Sequence, residues 1–149
     1  MYDTNAFLLE RYKYVLLRKQ ALNEATFKIA AIYQAVLLAL GLGQYNVLVL
    51  YQSGALSAVN ARLYSNLLLA MLFVFSALVL TLLVGGIFAW INYRNDEAEI
   101  ELKVAGIKKD SIKMLSIFSW YETYIGAIVL VVLVGWTFII MKFITPILL

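Results

Sequence analysis

Apolar residues fill three long stretches of this chain, and polar residues separate the stretches from one another. This pattern predicts helical spans over residues 29–51, 64–91 and 125–141. About 20 apolar residues cross a hydrocarbon core of about 30 Å, at a rise of about 1.5 Å per residue. The second stretch is longer than a straight crossing needs, so we expect it to tilt or to project from the bilayer. The predicted fold class is therefore all-α: a polytopic membrane helical bundle in one membrane domain, residues 1–149.

Residues 5–25, ahead of the first span, alternate apolar and charged side chains with a helical period. They predict an N-terminal amphipathic helix in the interfacial headgroup layer, because a basic helix that also carries aromatic residues suits that layer. Three of its basic residues, Arg11, Arg18 and Lys19, are expected to face water or to extend along the helix toward it. An alternative of equal weight is a helix that packs against the rest of the bundle.

Composition supports the membrane class and narrows the chemistry. The chain is 64% hydrophobic and 14% charged, whereas soluble domains are about half apolar and about a quarter charged. It contains no cysteine and no histidine, which removes thiol nucleophiles, thiolate metal sites and the commonest general base. The sequence also lacks a glycine-rich phosphate loop and metal-ligand spacing. We therefore predict a protein that is not an enzyme and that uses no cofactor and no metal.

The placement of lysine and arginine predicts the topology. Basic residues concentrate in the N-terminal flank and in residues 92–114, whereas Arg62 and Lys142 stand alone on the opposite side. The positive-inside rule then places the N-terminus and a loop over 92–114 in the cytoplasm and the C-terminus outside. The expected location is a bacterial-type inner (plasma) membrane. Because topology accounts for the basic residues, we expect no binding of nucleic acid.

Two groups of residues inside the spans are candidates for contacts with other helices. Small residues recur every four positions in the second span and predict a helix-packing face, namely Ala77, Thr81, Gly85 and Ala89. The second group consists of candidate polar residues in the apolar segments, namely Gln34, Gln44, Asn46 and Glu122. The amides are expected to hydrogen-bond to neighbouring helices, and a polar path is the alternative. Glu122 is either an interfacial carboxylate that water reaches or a buried acid paired with a base of the N-terminal helix.

The charged segment between the second and third spans has helical character of its own. Residues 96–105 contain good helix formers, and Glu99 and Lys103 form an i,i+4 pair in the favourable order. Gly106 is expected to end this helix. Ile100, Val104 and Ile107 add an apolar stripe, which suits a docking surface, while a solvated connector is the alternative.

This segment resembles the cytoplasmic loop of FtsX-like (MacB-type) ABC transporter permeases. The run from Glu99 to Ile112 carries the resemblance, because Gly106 and Ile112 have the family's spacing and Arg94 matches approximately. In that family the loop is a coupling helix that sits in a groove of a cytoplasmic ATPase. Family members carry a large extracellular domain after their first span and also have a fourth span. This chain has the short loop 52–62 in place of that domain, which implies a reduced relative.

The resemblance implies a permease-like subunit of a transport complex that couples through its loop to an ABC-type ATPase. The residues expected to bind such a partner are Arg94, Glu97, Glu99, Ile100, Lys103, Val104, Gly106, Ile107 and Lys108. Two alternatives stay open. One is a non-catalytic structural or assembly subunit of a larger membrane complex, held by other membrane subunits. The other is a homo-oligomeric pore-forming effector that works by self-association in the lipid bilayer.

Overall fold

The computed structural model describes residues 4–106 and 120–147, which form helices and contain no strand. The elements are α1 (Thr4–Gln52), α2 (Ala58–Ala105), α3 (Tyr121–Ile139), a π-helical segment (Ile140–Ile144) and the short α4 (Thr145–Ile147). Three helical stretches are long and apolar enough to cross a membrane, namely Ala6–Gln52, Ala58–Val104 and Tyr121–Ile147. The prediction of an all-α fold with three apolar helices long enough to span a membrane is confirmed at this level.

The first helix is longer than the sequence pattern predicts. We expected one helix over 5–25 and another over 29–51, but α1 runs through both ranges for 49 residues without a break. No glycine or proline occurs in this region before Gly41, so nothing in the backbone chemistry interrupts the hydrogen-bond ladder. At about 1.5 Å per residue, α1 is about 73 Å long and exceeds the thickness of a hydrocarbon core. A separate N-terminal amphipathic helix is therefore not seen.

The second helix extends into the segment that was predicted to be a loop. Residues 92–105 are the last turns of α2, which has 48 residues. Gly106 ends the helix with a φ of 65°, and its N–H donates to the carbonyl of Leu102 at 3.1 Å. Glycine adopts this left-handed conformation at little cost, so the predicted helix end is confirmed. Residues 107–119, which include Ile107 and Lys108, lie outside the described residues.

A tight turn over residues 53–57 joins α1 to α2. Gly54 has a φ of 74° there, and the N–H of Leu56 donates to the carbonyl of Leu50 at 3.1 Å. The turn is shorter than the predicted loop 52–62, because α2 already begins at Ala58. So short a connection makes the flanking parts of α1 and α2 antiparallel neighbours.

The chain divides into two compact units. Unit 1 takes its described residues from Met1–Lys28 and Leu82–Tyr124, and unit 2 takes them from Ile29–Thr81 and Ile125–Leu149. Each unit therefore contains part of α1, part of α2 and part of the third apolar segment.

The shielded positions of α1 and α2 recur every seven residues. In α1 one such series is Tyr12, Lys19, Thr26, Tyr33, Leu40 and Val47, all of them buried or half-buried. In α2 the corresponding series are Ser65, Leu72, Val79, Gly86, Tyr93 and Ile100, together with Leu69, Ser76, Leu83, Trp90 and Glu97. Two series offset by three or four residues form the seam of helices that pack in the manner of a coiled coil. The seams carry many polar and small residues, because large apolar residues can face lipid equally well.

Unit 2 has an apolar core close to the turn. Val47, Ala61, Ile140 and Ile144 are buried together there. Ile140 and Ile144 belong to the π-helical segment, which directly precedes Pro146 and in which the N–H of Thr145 donates to the carbonyl of Ile140. Proline lacks an N–H and crowds the preceding turn, and a wider helical turn relieves that conflict. The helix thus continues through Pro146 to Ile147.

The predicted packing face of small residues does not pack within the described part of the chain. Ala77, Thr81 and Gly85 are exposed, and Ala89 is half-buried. A Cβ added to Gly85 would meet no atom within 4 Å. Among the described residues the seam of α2 passes through Ser76, Val79 and Leu83 instead, so packing of the small-residue face against another helix stays a prediction.

Candidate functional site

The candidate site is a group of charged side chains in unit 1, which we call the ionic cluster: Arg11, Lys19, Arg94, Asp96, Glu97, Glu99 and Lys103. Its centre is Glu97, which is only 5% exposed. Lys19 Nζ lies 2.9 Å and Arg94 Nη1 lies 3.1 Å from the same oxygen, Glu97 Oε2. A buried carboxylate needs such partners, because an uncompensated charge away from water is strongly destabilising.

The outer part of the ionic cluster is more exposed. Arg11 Nη2 lies 3.3 Å from Asp96 Oδ1 and 4.0 Å from Glu99 Oε2. Glu99 also accepts a hydrogen bond from Lys103 at 2.6 Å, which confirms the predicted i,i+4 pair. Pairs at this level of exposure contribute little to stability, because water and salt screen their charges. The buried contacts of Glu97 therefore dominate the stability of the cluster.

Aromatic rings cover the inner end of the ionic cluster. Lys19 Nζ lies 4.9 Å from the ring centroid of Trp90. The rings of Trp90 and Trp120 are 4.3 Å apart between centroids and tilted by 50°. A cation over an indole face is attracted by the negative face of the ring, and more strongly where water is excluded. Lys19 is thus held by both a carboxylate and a ring, whereas we had expected it to face water.

A second buried acid of unit 1 lies at the start of α3. Glu122 is 5% exposed, and its Oε1 lies 3.1 Å from Thr26 Oγ1. Thr26 Oγ1 is also 3.1 Å from the carbonyl of Leu22. A hydroxyl group has one proton, so Thr26 can donate to only one of these two oxygens at a time. Glu122 is buried, as one of the two interpretations predicted, but the partner seen here is a hydroxyl group and not a base.

The residues predicted to bind a partner fall into two classes. Glu97 and Ile100 are buried, so the structure corrects their assignment to an external docking surface. Arg94 is turned to Glu97, whereas Glu99, Lys103, Val104 and Gly106 are exposed at the end of α2. Leu102, which the sequence analysis did not single out, is exposed beside them.

The predicted intramembrane amides differ in their burial. In unit 2, Gln44 is buried and its Nε2 donates to Ser65 Oγ at 2.8 Å. A similar contact joins Tyr33 and Ser76, whose hydroxyl oxygens are 2.8 Å apart. The expected helix-to-helix hydrogen bond is confirmed for Gln44. Gln34 and Asn46, in contrast, are exposed.

Sequence analysis missed the roles of Lys19, Thr26 and Tyr33. A usable pattern was present, because these three polar residues recur every seven positions along α1. The same interval separates Trp90 from Glu97 in α2. A seven-residue spacing of polar side chains in an otherwise apolar or mixed helix marks the face that other helices cover.

The ionic cluster connects two helices through paired charges. Its acids are each engaged by a base, and in the described part of the chain no group of three or more Asp or Glu side chains could hold a metal ion. The cluster joins α1 to α2 in unit 1, and the C-terminal end of α2 is exposed. The chain matches no protein-family model, no curated protein and no solved structure.

Proposed function

We propose that this protein is a small, non-catalytic membrane subunit that couples to a cytoplasmic protein partner through the exposed end of α2. The observation that carries the proposal is the continuity of α2 from its apolar span through residues 92–105. The segment expected to meet a partner is thus part of a spanning helix and not a flexible connector. When a partner displaces the end of such a helix, the movement can be transmitted along the helix to its membrane-embedded part.

The ionic cluster supports this role because it stiffens the end of α2. Glu97 binds Lys19 across to α1, and Arg11 makes a second connection to Asp96. Two connections separated by about two helical turns on α1 hold the paired segments in one register. A preorganised surface loses less entropy on binding than a mobile one.

The exposed end of α2 has the composition of a protein interface. Leu102 is 50% and Val104 is 59% exposed, and the charged residues Glu99 and Lys103 flank them. Apolar side chains surrounded by charges of both signs are typical of an interface with a polar rim. The resemblance of residues 99–112 to the coupling loop of FtsX-like permeases supports a cytoplasmic ATPase as the partner. The proposed orientation has the N-terminus and residues 92–114 in the cytoplasm, as the positive-inside rule predicts.

Site-specific photocrosslinking tests this proposal in the native membrane. A photoreactive amino acid at Leu102 or Val104 is expected to crosslink to an ATP-binding protein that mass spectrometry identifies. The double change Leu102→Glu with Val104→Glu is expected to reduce capture at least tenfold, since it places charge in the apolar centre of the interface.

Two matched controls test whether capture is specific to positions 102 and 104. Asn95→Glu alters an exposed position of the same helix and should leave capture unchanged. A photoreactive residue at Val74, which is exposed in the apolar part of α2, should react with lipid. Crosslinks from positions 102 and 104 to lipid alone, or to a protein without a nucleotide-binding domain, would exclude the proposed coupling.

A second candidate function is assembly with other spanning helices, including copies of this chain. It is favoured by the exposed small residues Ala77, Thr81 and Gly85 and by the exposed amides Gln34 and Asn46 within apolar helices. Small residues let backbones approach, and amides in a membrane gain from hydrogen bonds to a neighbour.

The variant Gly85→Phe tests this second candidate. An added side chain meets no described atom within 4 Å of the Cβ position, so the fold of the chain should persist. If the stripe contacts another helix, the variant should shift an oligomer toward monomer in analytical ultracentrifugation in detergent. Leu78→Phe, at an exposed large residue of the same helix, is the control. Equal masses for wild type and both variants would refute assembly through this stripe.

A further inference from the structure

Unit 2 contains a pocket that neither candidate function uses. It has a volume of about 270 Å³ and is lined by Gly41, Gln44, Tyr45, Leu48, Trp136, Ile139, Ile140 and Ile144. Tyr45 and Ile139 are themselves exposed, so the pocket opens at the surface of the spanning segments, where lipid is the surrounding phase. Its volume is just below the range of about 300–1,000 Å³ that is usual for small-molecule sites.

One side-chain atom of Gln44, a residue that lines this pocket, is buried and lacks a partner among the described residues. Gln44 is 5% exposed, and its Oε1 has no hydrogen-bond partner among the described residues. The other branch of the same amide, Nε2, is already held by Ser65. A buried carbonyl oxygen without a donor is destabilising, and that cost disappears when a ligand supplies the missing donor.

The shape of the pocket depends on features that a plain apolar helix pair would lack. A Cβ at Gly41 would lie 3.3 Å from the ring of Trp136, so glycine is what lets the indole approach α1. Ile140 and Ile144 come from the π-helical segment, whose wider turn changes the direction of their side chains. π-Helical turns of this kind occur frequently at functional sites.

We propose that this pocket binds a neutral apolar molecule with a single hydroxyl group, which donates its hydrogen bond to Gln44 Oε1. The apolar lining excludes a charged headgroup, because no basic or acidic side chain belongs to it. The aromatic and aliphatic walls take the hydrocarbon part of the ligand. An alcohol meets both requirements, whereas a hydrocarbon leaves the amide oxygen without a donor.

Quenching of Trp136 fluorescence by bromine tests the proposal on the full-length chain in detergent. The double variant Trp90→Phe with Trp120→Phe leaves Trp136 as the single tryptophan. The probes are 8-bromooctan-1-ol and 1-bromooctane, compared at equal concentrations in the micelle phase. We expect the alcohol to quench saturably, with a half-maximal concentration about tenfold lower than that of the bromoalkane, because only the alcohol satisfies the oxygen of Gln44.

Substitution of Gln44 gives the decisive comparison. Gln44→Met keeps the length of the side chain and should abolish the preference for the alcohol. Asn46→Met, which removes an exposed amide two residues away, should leave the preference intact. If the two tryptophan changes prevent folding, the native chain can be compared with Trp136→Phe. The saturable part of the quenching by the bromoalcohol should then be present in the native chain and absent in the variant. Equal and unsaturable quenching by both probes in the wild type, or an unchanged preference in Gln44→Met, would overturn the proposal.

Discussion

Replacing Lys19 by methionine is expected to lower the free energy of unfolding by about 3 kcal/mol. The change leaves the 5% exposed Glu97 with one partner fewer, and breaking a buried ion pair from one side costs about 3–5 kcal/mol. The lower end of that range applies because Arg94 still contacts the same oxygen. The cation–π contact with Trp90 is lost as well. Unfolding by denaturing detergent, followed by circular dichroism, measures the effect.

A double-mutant cycle separates charge from packing in this prediction. Lys19→Met combined with Glu97→Gln removes both charges and should be more stable than Lys19→Met alone, since no uncompensated carboxylate then remains. Lys103→Met is the matched control, because the Lys103–Glu99 pair is half-exposed and its loss should change stability much less than the loss of Lys19. Equal losses for Lys19→Met and Lys103→Met would contradict the assigned role of Glu97 as the buried centre of the ionic cluster.

Replacing Ala61 by phenylalanine is expected to destabilise unit 2 by about 3 kcal/mol or more. Ala61 is 0% exposed and lies in the core with Val47, Ile140 and Ile144. Overpacking forces neighbours from their preferred rotamers and typically costs about 1–3 kcal/mol even for a few added methylenes. A benzyl group here also pushes against the turn over residues 53–57, which fixes the distance between α1 and α2. Thermal unfolding in detergent measures the loss.

The control for this second prediction is two residues away. Val59 is 78% exposed, so Val59→Phe introduces the same side chain without entering the core and should change stability by less than about 0.5 kcal/mol. A melting temperature for Ala61→Phe that equals that of Val59→Phe would mean that the core at the turn is not packed as described. Partial recovery on adding Ile144→Ala, which vacates space in the same core, would support the description.

The ionic cluster also changes how function should be tested. Charge reversal at Glu97 would disturb the internal structure of unit 1, so loss of a partner in that variant would not identify a docking surface. Leu102 and Val104 are better positions, because both are exposed and neither contributes to the buried contacts of Glu97. Stability and partner binding can therefore be changed separately at the end of α2.

Several features of this protein were determined by sequence alone. The long apolar stretches determined the all-α class and the three helices able to span a membrane, because backbone groups in lipid must be bonded within a helix. The helix over 96–105, its pair Glu99–Lys103 and its end at Gly106 were also predictable, because each depends on neighbours within a few residues. The continuity of α1 was also predictable, because no glycine or proline precedes Gly41. The change from mixed to apolar residues near residue 28 instead suggested two helices.

Only the tertiary structure decided which faces of these helices are buried. In a membrane protein the contrast between apolar and polar positions fades, since lipid accepts large apolar residues as readily as a core does. The stripe of Ala77 and Gly85 therefore looked like the packing face, whereas packing uses Ser76, Leu83 and Glu97. Burial of Glu97 depends on Lys19, which is 78 positions away in the chain. The antiparallel packing of α1 and α2 determines the helix register, and the register brings residues so far apart into contact. No local sequence pattern encodes that register.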